Sequence, residues 1–127
     1  VYLLFLELEE SKTVEIGALG EIKFQEGTYV YVGSAMNSVE KRLERHFSQV
    51  ENLHWHVDYL TEEANPFDYF ILPEKSEYEE WLAEKIGEFH EPVQDFGSSD
   101  SSEESHLFRI SDDDSDPKDF WYLKPEI

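Results

Sequence analysis

The first quarter of the chain has the apolar pattern of β-strands. Residues 1–8 form an almost continuous apolar run, which predicts a strand that is covered on both faces. Residues 13–16 and 21–24 flank a Gly-Ala-Leu-Gly segment and predict a hairpin, and residues 28–33 are rich in β-branched and aromatic side chains. A small antiparallel sheet is therefore expected to begin the fold.

Helical spacing follows this sheet. One apolar stripe is formed by Val39, Leu43, Phe47 and Val50. This stripe predicts a helix of about 12 residues that begins at a capping box in residues 37–40. The opposite side of the helix is expected to carry Lys41, Arg42, Arg45 and His46.

A second helix is predicted later in the chain. Residues 76–79 have the Ser-x-x-Glu spacing of a capping box, so a helix is expected to open there. Its buried face is expected to consist of Tyr78, Trp81, Leu82, Ile86 and Phe89.

Three short segments complete the predicted architecture. Residues 54–60 alternate as a strand does, residues 67–72 form a second apolar run, and residues 106–110 predict a short strand. No repeat or linker divides the chain. We therefore expect residues 1–127 to form one α+β domain, in which helices flank a small antiparallel sheet of three strands or slightly more.

The composition is that of a folded protein. Apolar residues make up 39% and aromatic residues 15%, more than a disordered acidic tail carries. No apolar run approaches the roughly 18 residues of a membrane-spanning helix, and no signal peptide opens the sequence, so we expect a cytoplasmic protein with no membrane partner. Because residue 1 is Val rather than Met, we expect the chain to have been trimmed. The absence of cysteine excludes disulfides, thiolate nucleophiles and cysteine-bound metals.

The charge is strongly negative. The chain has 30 acidic against 10 basic residues, a formal net charge of −20. Such a charge suits either a cytoplasm at molar salt or a strongly basic partner. The acidic residues are spread over every segment, which favours a halophilic protein. Because the Debye length falls to about 3 Å at 1 M salt, the self-repulsion is screened there, and we expect unfolding in dilute buffer.

The first candidate for chemistry lies between the predicted sheet and the first helix. Tyr31 and Gly33 end a strand and Arg42 follows, a combination that suits a phosphate because glycine permits close approach and a guanidinium binds anions. The structural alternative is a strand aromatic, a turn glycine and a solvated charge. Three of the ten basic residues fall within positions 41–45, which favours anion binding in so acidic a chain.

The second candidate is the predicted strand at residues 54–60. Alternation places His54, His56 and Asp58 on one face. Zinc, iron and manganese accept two imidazoles and a carboxylate, but successive positions on one strand face are about 7 Å apart, which is wide for shared coordination. A metal site, a ligand-binding cleft and a structural polar network all stay open.

Carboxylates are abundant, so each one is weakly informative. Glu79 has a structural alternative as the partner of Ser76 in the predicted capping box. Glu80 and Glu84 are four residues apart on the same helix and are placed to hold a divalent cation through water.

With these motifs in place, the chain resembles a GIY-YIG nuclease domain. The two tyrosine motifs fall at Tyr2 and at residues 31–33, and Arg42 takes the place of the family's helix arginine. An uncharacterised branch of the superfamily, sometimes attached to endonuclease III, is more specifically similar. That similarity is carried in order by residues 27–35, 42–46, 54–60, and 96–100 with 105–108.

The resemblance implies a fold and a reaction. The fold is a three-stranded antiparallel sheet with helices around it, and the reaction is phosphodiester cleavage with one divalent cation, Mg²⁺ or Mn²⁺. Tyr2 and Tyr31 would flank the attacking water, and Arg42 would bind the scissile phosphate. The metal would be held by Glu84 or Glu79, since two alignments of the helix are possible.

Further site residues follow from the same resemblance. A tyrosine with a reference pKa of about 10 is a poor base at pH 7, so His46 and His56 are also candidates for the catalytic set. Residues expected to bind substrate are Gly33, Ser34, Lys41, Arg45, His54, Asp58 and His106.

The chain also departs from the family pattern. Ser34 follows the glycine where many members have Lys, and Ser101 and Glu103 stand where the similar branch has a Cys-x-Cys motif. A metal or redox role for that loop is therefore not expected.

The leading hypothesis is a metal-dependent endonuclease that acts on nucleic acid, with DNA expected, in repair or processing. One alternative is a non-catalytic nucleic-acid-binding module that retains the fold and contacts the phosphate backbone through the basic residues at positions 41–45. The other is a metallohydrolase that acts through His54, His56 and Asp58. The oligomeric state stays open.

Overall fold

A computed structural model describes residues 1–35, 38–48, 52–53, 55–73, 77–97, 105–110, 117–118 and 120. It contains the strands β1 (Tyr2–Leu8), β2 (Lys12–Glu15), β3 (Glu21–Phe24), β4 (Gly27–Gly33), β5 (Asn65–Ile71), β6 (Glu91–Pro92) and β7 (Leu107–Arg109). Its helices are α1 (Val39–His46), α2 (His56–Thr61) and α3 (Tyr78–Gly87). The predicted α+β class is confirmed.

Five strands form one antiparallel sheet in the order β5-β1-β4-β7-β6. β1 is central, because it pairs with β4 on one side and with β5 on the other. β2 and β3 form a separate hairpin, as the sequence predicts. The sheet is thus larger than three strands, and the two-residue strand β6 carries no signal in the sequence.

The two faces of β1 are buried in two different clusters. Tyr2, Leu4, Leu6 and Leu8 face the first cluster, which is covered by the hairpin, α1 and α2. Leu3 and Phe5 face the second cluster, which is covered by α3. This arrangement confirms that the first strand is covered on both sides, which is why it has no polar alternation.

The strand predicted over residues 54–60 is wrong. Residues 56–61 form helix α2, and His54 lies outside the described residues. The Asp58 carboxylate accepts the backbone N–H of Trp55 at 3.0 Å and so caps the start of α2. On a helix, positions i and i+2 do not face each other, so His56 and Asp58 do not share a face.

The helices on either side of α2 differ in detail from the prediction. α1 ends at His46, and Phe47, predicted in its buried stripe, is 45% exposed. His46, predicted on the solvent side, is buried because it follows Val39 by seven residues, two turns of helix. In α3, Leu82 and Ile86 are buried as predicted, whereas Trp81 is exposed, and Phe89 lies beyond the end of the helix and is exposed as well.

The predicted capping boxes lie partly in segments without a description. Asn37 and Ser76 are outside the described residues. Ser38 is the residue that caps α1, since its hydroxyl accepts the backbone N–H of Lys41. Among the described residues, no helix is long and apolar enough to cross a membrane.

Candidate active site

Gly33 makes room for the buried ring of Tyr2. The two residues are direct partners in the pairing of β1 with β4. A Cβ atom at position 33 would lie 2.3 Å from Tyr2 Cζ and 2.4 Å from its hydroxyl oxygen. Gly33 therefore serves the site by positioning Tyr2, which gives a physical reason for a glycine there besides the predicted close approach of a substrate.

A buried hydrogen bond joins the first strand to the first helix. The Tyr2 hydroxyl and His46 Nε2 are 2.7 Å apart, and both side chains are at most 1% exposed. Burial lowers the pKa of His46 to about 4, because a charged imidazolium would lose its hydration there. Burial also raises the pKa of Tyr2 above its ordinary value, and the nearby Arg42 guanidinium opposes that rise. At neutral pH the pair is therefore an uncharged phenol bonded to an uncharged imidazole.

The other nitrogen of His46 has no hydrogen-bond partner among the described residues. Within the described part of the chain, Nδ1 of His46 is a buried side-chain atom without a hydrogen bond. Such an atom destabilises a fold by roughly 1–3 kcal/mol, so it is unusual in a purely structural histidine. This observation favours a functional role for His46.

Tyr31 lies beside Tyr2 on the next strand. Their ring centroids are 6.3 Å apart, and Tyr31 also contacts the His46 ring at 6.3 Å. Burial raises the pKa of Tyr31, the Glu79 carboxylate raises it further, and Arg42 lowers it. Arg42 and Glu79, on two different helices, are therefore both within electrostatic reach of the two tyrosines.

Glu79 reaches this site from the first turn of α3. Its Oε2 lies 3.8 Å from Nδ1 of His106, a buried residue just before β7. The same Nδ1 lies 3.3 Å from the carbonyl oxygen of Val32. In the tautomer with a proton on Nδ1, His106 donates a hydrogen bond to this carbonyl. The structure thus places Glu79 next to His106, and the charge of Glu79 acts on both tyrosines.

Glu84 lies elsewhere on α3. It lines a separate cavity of about 190 Å³ together with Gly87 and Phe108. Of the two glutamates left open by the sequence, Glu79 is the one that faces the tyrosine pair.

Arg42 is held in place by an aromatic ring that the sequence did not single out. Its guanidinium carbon lies 3.9 Å from the centroid of Trp55, a cation–π contact, and NH1 donates to the carbonyl of Ser34 at 3.2 Å. Trp55 was missed because the residues around it were predicted as a strand, in which its ring would point into the core. Only its place before α2 brings it to Arg42.

Arg45 and Asp58 bind each other. Asp58 is fully buried, and its two oxygens accept Nε and NH2 of Arg45 at 3.3 and 2.9 Å. NH2 also donates to the carbonyl of Asn52 at 2.7 Å. Arg45 and Asp58 were both predicted to bind substrate. In the structure they form a bidentate ion pair that fixes α1 to α2 and so stabilises the site. Lys41, by contrast, is exposed.

His56 supports the site from a different side. Its Nδ1 accepts the backbone N–H of Gly97 at 2.9 Å, and its ring lies 5.6 Å from that of Phe96. Phe96 in turn contacts Tyr31 at 6.3 Å. The predicted catalytic histidine therefore holds the turn that packs against Tyr31.

The acidic groups of the site suit one type of metal binding only. Among the described residues, no group of three or more His, Asp or Glu side chains is arranged to hold a metal ion. Mg²⁺ does not need such a group, because it binds through one or two carboxylates, several waters and substrate phosphates. Glu79, with a side chain that is 36% exposed, fits that mode.

The buried His46 predicts a specific dependence of stability on pH. Because its pKa falls from 6.5 in the unfolded chain to about 4 in the folded one, the unfolded state binds the proton first as the pH drops. Its contribution is fully present above pH 6.5 and is lost between pH 6.5 and 4, at a cost of about 3 kcal/mol. Urea unfolding of wild type and His46→Gln at pH 7 and pH 4.5, in molar salt, measures this loss. Equal pH dependence in the two proteins would show that folding does not lower the pKa of His46.

Comparisons with known proteins give one match. A family model described as "Domain of unknown function DUF123" matches residues 1–123. Searches of curated proteins and of solved structures found no match.

Proposed function

The chain belongs to the DUF123 family, and we propose that this member is a divalent-metal-dependent endonuclease that hydrolyses phosphodiester bonds in nucleic acid, with DNA as the expected substrate. The observation that carries the proposal is the convergence of two tyrosines, one histidine, one arginine and one glutamate at one end of the sheet: Tyr2, Tyr31, His46, Arg42 and Glu79. The likeness of its tyrosine motifs to those of GIY-YIG nucleases supports the same proposal.

Arg42 is the anion-binding group of this site. It lies against Trp55, and its charge acts on both tyrosine hydroxyls. A guanidinium held in this way binds a phosphate oxygen and offsets the negative charge that grows on the phosphoryl group during attack. Arg42 is therefore the residue that binds the scissile phosphate.

Tyr2 and His46 together accept the proton of the attacking water. As the water oxygen bonds to phosphorus and the bond to the leaving oxygen breaks, a water proton passes to the Tyr2 oxygen, the Tyr2 proton passes to His46 Nε2, and the leaving oxygen takes up a proton from solvent water. His46 gains the positive charge, which its burial disfavours in the resting site and the negative phosphoryl group offsets during the attack, and Tyr2 is neutral before and after the transfer. The raised pKa of Tyr2 favours this relay over a lasting phenolate.

Glu79 is the residue placed to hold the divalent cation. When bound, the cation would supply positive charge near the phosphate and would favour deprotonation of the attacking water. The Tyr31 hydroxyl, on which the charge of Glu79 acts, would orient the water by hydrogen bonding.

A non-catalytic nucleic-acid-binding module is the second candidate. It is favoured by the raised pKa of both tyrosines, because less of each is ionised to the basic phenolate at neutral pH than of an ordinary phenol. In that case Arg42 would bind a phosphate without turnover.

Cleavage assays at molar salt separate the two candidates. We expect single-stranded, nicked or branched DNA to be cut in Mg²⁺ or Mn²⁺, with Arg42→Ala about 100-fold slower because the charge on the phosphate is lost. Lys41→Ala is the matched control: it removes an exposed neighbouring cation and should cut at nearly the wild-type rate. Binding without cleavage would select the module, and equal loss in both variants would show a general effect of positive charge.

A further inference from the structure

We infer that Phe47 and Tyr69 form a stacking surface for an unpaired nucleobase of the substrate strand, beside the active site. This inference rests on the proposed function and names a feature of its substrate: a strand whose bases are unpaired where the enzyme acts. We call this pair of residues the aromatic step.

The two aromatic rings are exposed and touch each other. Each side chain belongs to a residue that is 45% exposed, and the ring centroids are 6.1 Å apart at an angle of 73°. Single exposed apolar side chains are common on protein surfaces. Two half-exposed aromatic rings in contact form an apolar patch, and such a patch calls for an explanation. An edge-to-face pair offers one open ring face to a third flat group.

The aromatic step adjoins the active site on both of its sides. Phe47 directly follows His46 at the end of α1. Tyr69 is the partner of Leu4 in the pairing of β5 with β1, and Tyr2 is the partner of the half-exposed Ile71. Direct partners on neighbouring strands share a face, so Tyr69 and Ile71 lie on the face of the sheet that holds Tyr2. A nucleic-acid strand bound at Tyr2 and Tyr31 therefore passes the aromatic step.

A cavity opens next to the aromatic step. Its volume is about 490 Å³, within the range of small-molecule sites, and its lining includes His46, Phe47, Ser48, Thr61 and Asn65. Hydroxyl and amide groups around an aromatic ring suit the edge of a nucleobase, which carries both hydrogen-bond donors and acceptors.

The charge of the surroundings selects a base rather than a phosphate. Glu62 and Glu63 also line this cavity, and the whole chain has a formal charge of −20. A phosphate would be repelled there, whereas an uncharged base would not. Stacking on an aromatic ring does not depend on ion release, so it persists at molar salt, where attraction between charges is screened.

Binding to two DNA strands of equal length tests this inference directly. One strand carries thymine at every position and the other is fully abasic, so that both have the same phosphates and only one has bases. We expect the protein, in molar potassium chloride with EDTA, to bind the thymine strand about tenfold more tightly than the abasic strand by fluorescence anisotropy.

Variants locate the stacking. Phe47→Ala and Tyr69→Ala should each weaken binding of the thymine strand about tenfold and leave binding of the abasic strand unchanged. Phe67→Ala is the control, since Phe67 is 43% exposed on the same strand but contacts Phe5, which faces the other side of the sheet. Thermal unfolding of each variant confirms that it is folded.

Each result decides between defined outcomes. Equal affinity for the two strands, or equal losses in all three variants, would overturn the stacking surface. A change of oligomeric state in Phe47→Ala or Tyr69→Ala, measured by sedimentation, would overturn it in favour of a contact between two copies of the chain. Cleavage in Mg²⁺ tests the proposed function separately: cutting without base preference refutes only the stacking, and base-dependent binding without cutting refutes only the nuclease.

Discussion

Tyr2→Phe is expected to lower the rate of phosphodiester cleavage about 1000-fold. The substitution removes the hydroxyl that is hydrogen-bonded to His46 Nε2 and leaves the buried ring in place. Without the hydroxyl, the proton of the attacking water has no path to the imidazole. The expected cost in stability is about 1–3 kcal/mol, because His46 Nε2 loses its hydrogen-bond partner while it stays buried.

Tyr29→Phe is the matched control for this experiment. Tyr29 lies two residues before Tyr31 on the same strand and is also buried. Its hydroxyl donates to the backbone carbonyl of Gln25 at 2.6 Å. Its loss should cost no more stability than the loss at Tyr2, because Gln25 is exposed and water can replace the hydroxyl, and it should have little effect on cleavage. Single-turnover rates and urea unfolding of both variants measure the two quantities. Wild-type cleavage by Tyr2→Phe would remove Tyr2 from the mechanism.

Gly33→Ala is expected to abolish cleavage and to destabilise the fold by about 3 kcal/mol. The new methyl group would lie within 2.8 Å of three Tyr2 ring and hydroxyl atoms. The Tyr2 ring cannot move aside easily, because it is fully buried and packs against Tyr31 and His46. The strain therefore either displaces the Tyr2 ring or disrupts the pairing of β1 with β4.

Two further variants show whether the clash is the cause. Gly87→Ala places a methyl group at the end of α3, 3.3 Å from Phe108, and should change stability by less than about 1 kcal/mol, because alanine favours a helix. Tyr2→Leu combined with Gly33→Ala should be more stable than the sum of the two single effects predicts, since the smaller side chain leaves room for the methyl group. Additive effects would place the strain somewhere other than the Tyr2 ring.

Much of the sheet could be predicted from the sequence. The apolar run of β1, the β2–β3 hairpin and the strand that ends at Gly33 each have a local signal, and the structure confirms all three. The convergence of Tyr2, Tyr31 and Arg42 was also expected, from the resemblance of the motifs that carry them to those of GIY-YIG nucleases.

The errors arose where a local pattern had two solutions. Residues 54–60 alternate between polar and apolar, but Asp58 caps the turn at Trp55 and pairs with Arg45, which favours a helix. His46 was placed on the solvent side of α1 because histidine is polar, yet the Tyr2 hydroxyl gives it a buried partner. Arg45 and Tyr2 reach these residues only through the tertiary structure, so a short stretch of sequence around Asp58 or His46 does not indicate them.

Other features of the site depend on register and could not be predicted. That Gly33 faces Tyr2 follows from the pairing of β1 with β4, which a motif alone does not define. Trp55 reaches Arg42 only because α2 follows α1 at an angle that brings the ring to the guanidinium. The choice between Glu79 and Glu84 likewise needs the position of α3 relative to β7.

The central claim is that this chain cleaves phosphodiester bonds at the tyrosine pair with a metal held by Glu79. Mg²⁺-dependent cleavage of DNA by wild type, Glu79→Gln and Glu84→Gln tests it most directly, because the two variants remove equal charge from the same helix. We predict that wild type and Glu84→Gln cut the DNA and that Glu79→Gln is at least about 100-fold slower. Cleavage by Glu79→Gln at the wild-type rate, or no Mg²⁺-dependent cleavage by any of the three proteins, would contradict the claim.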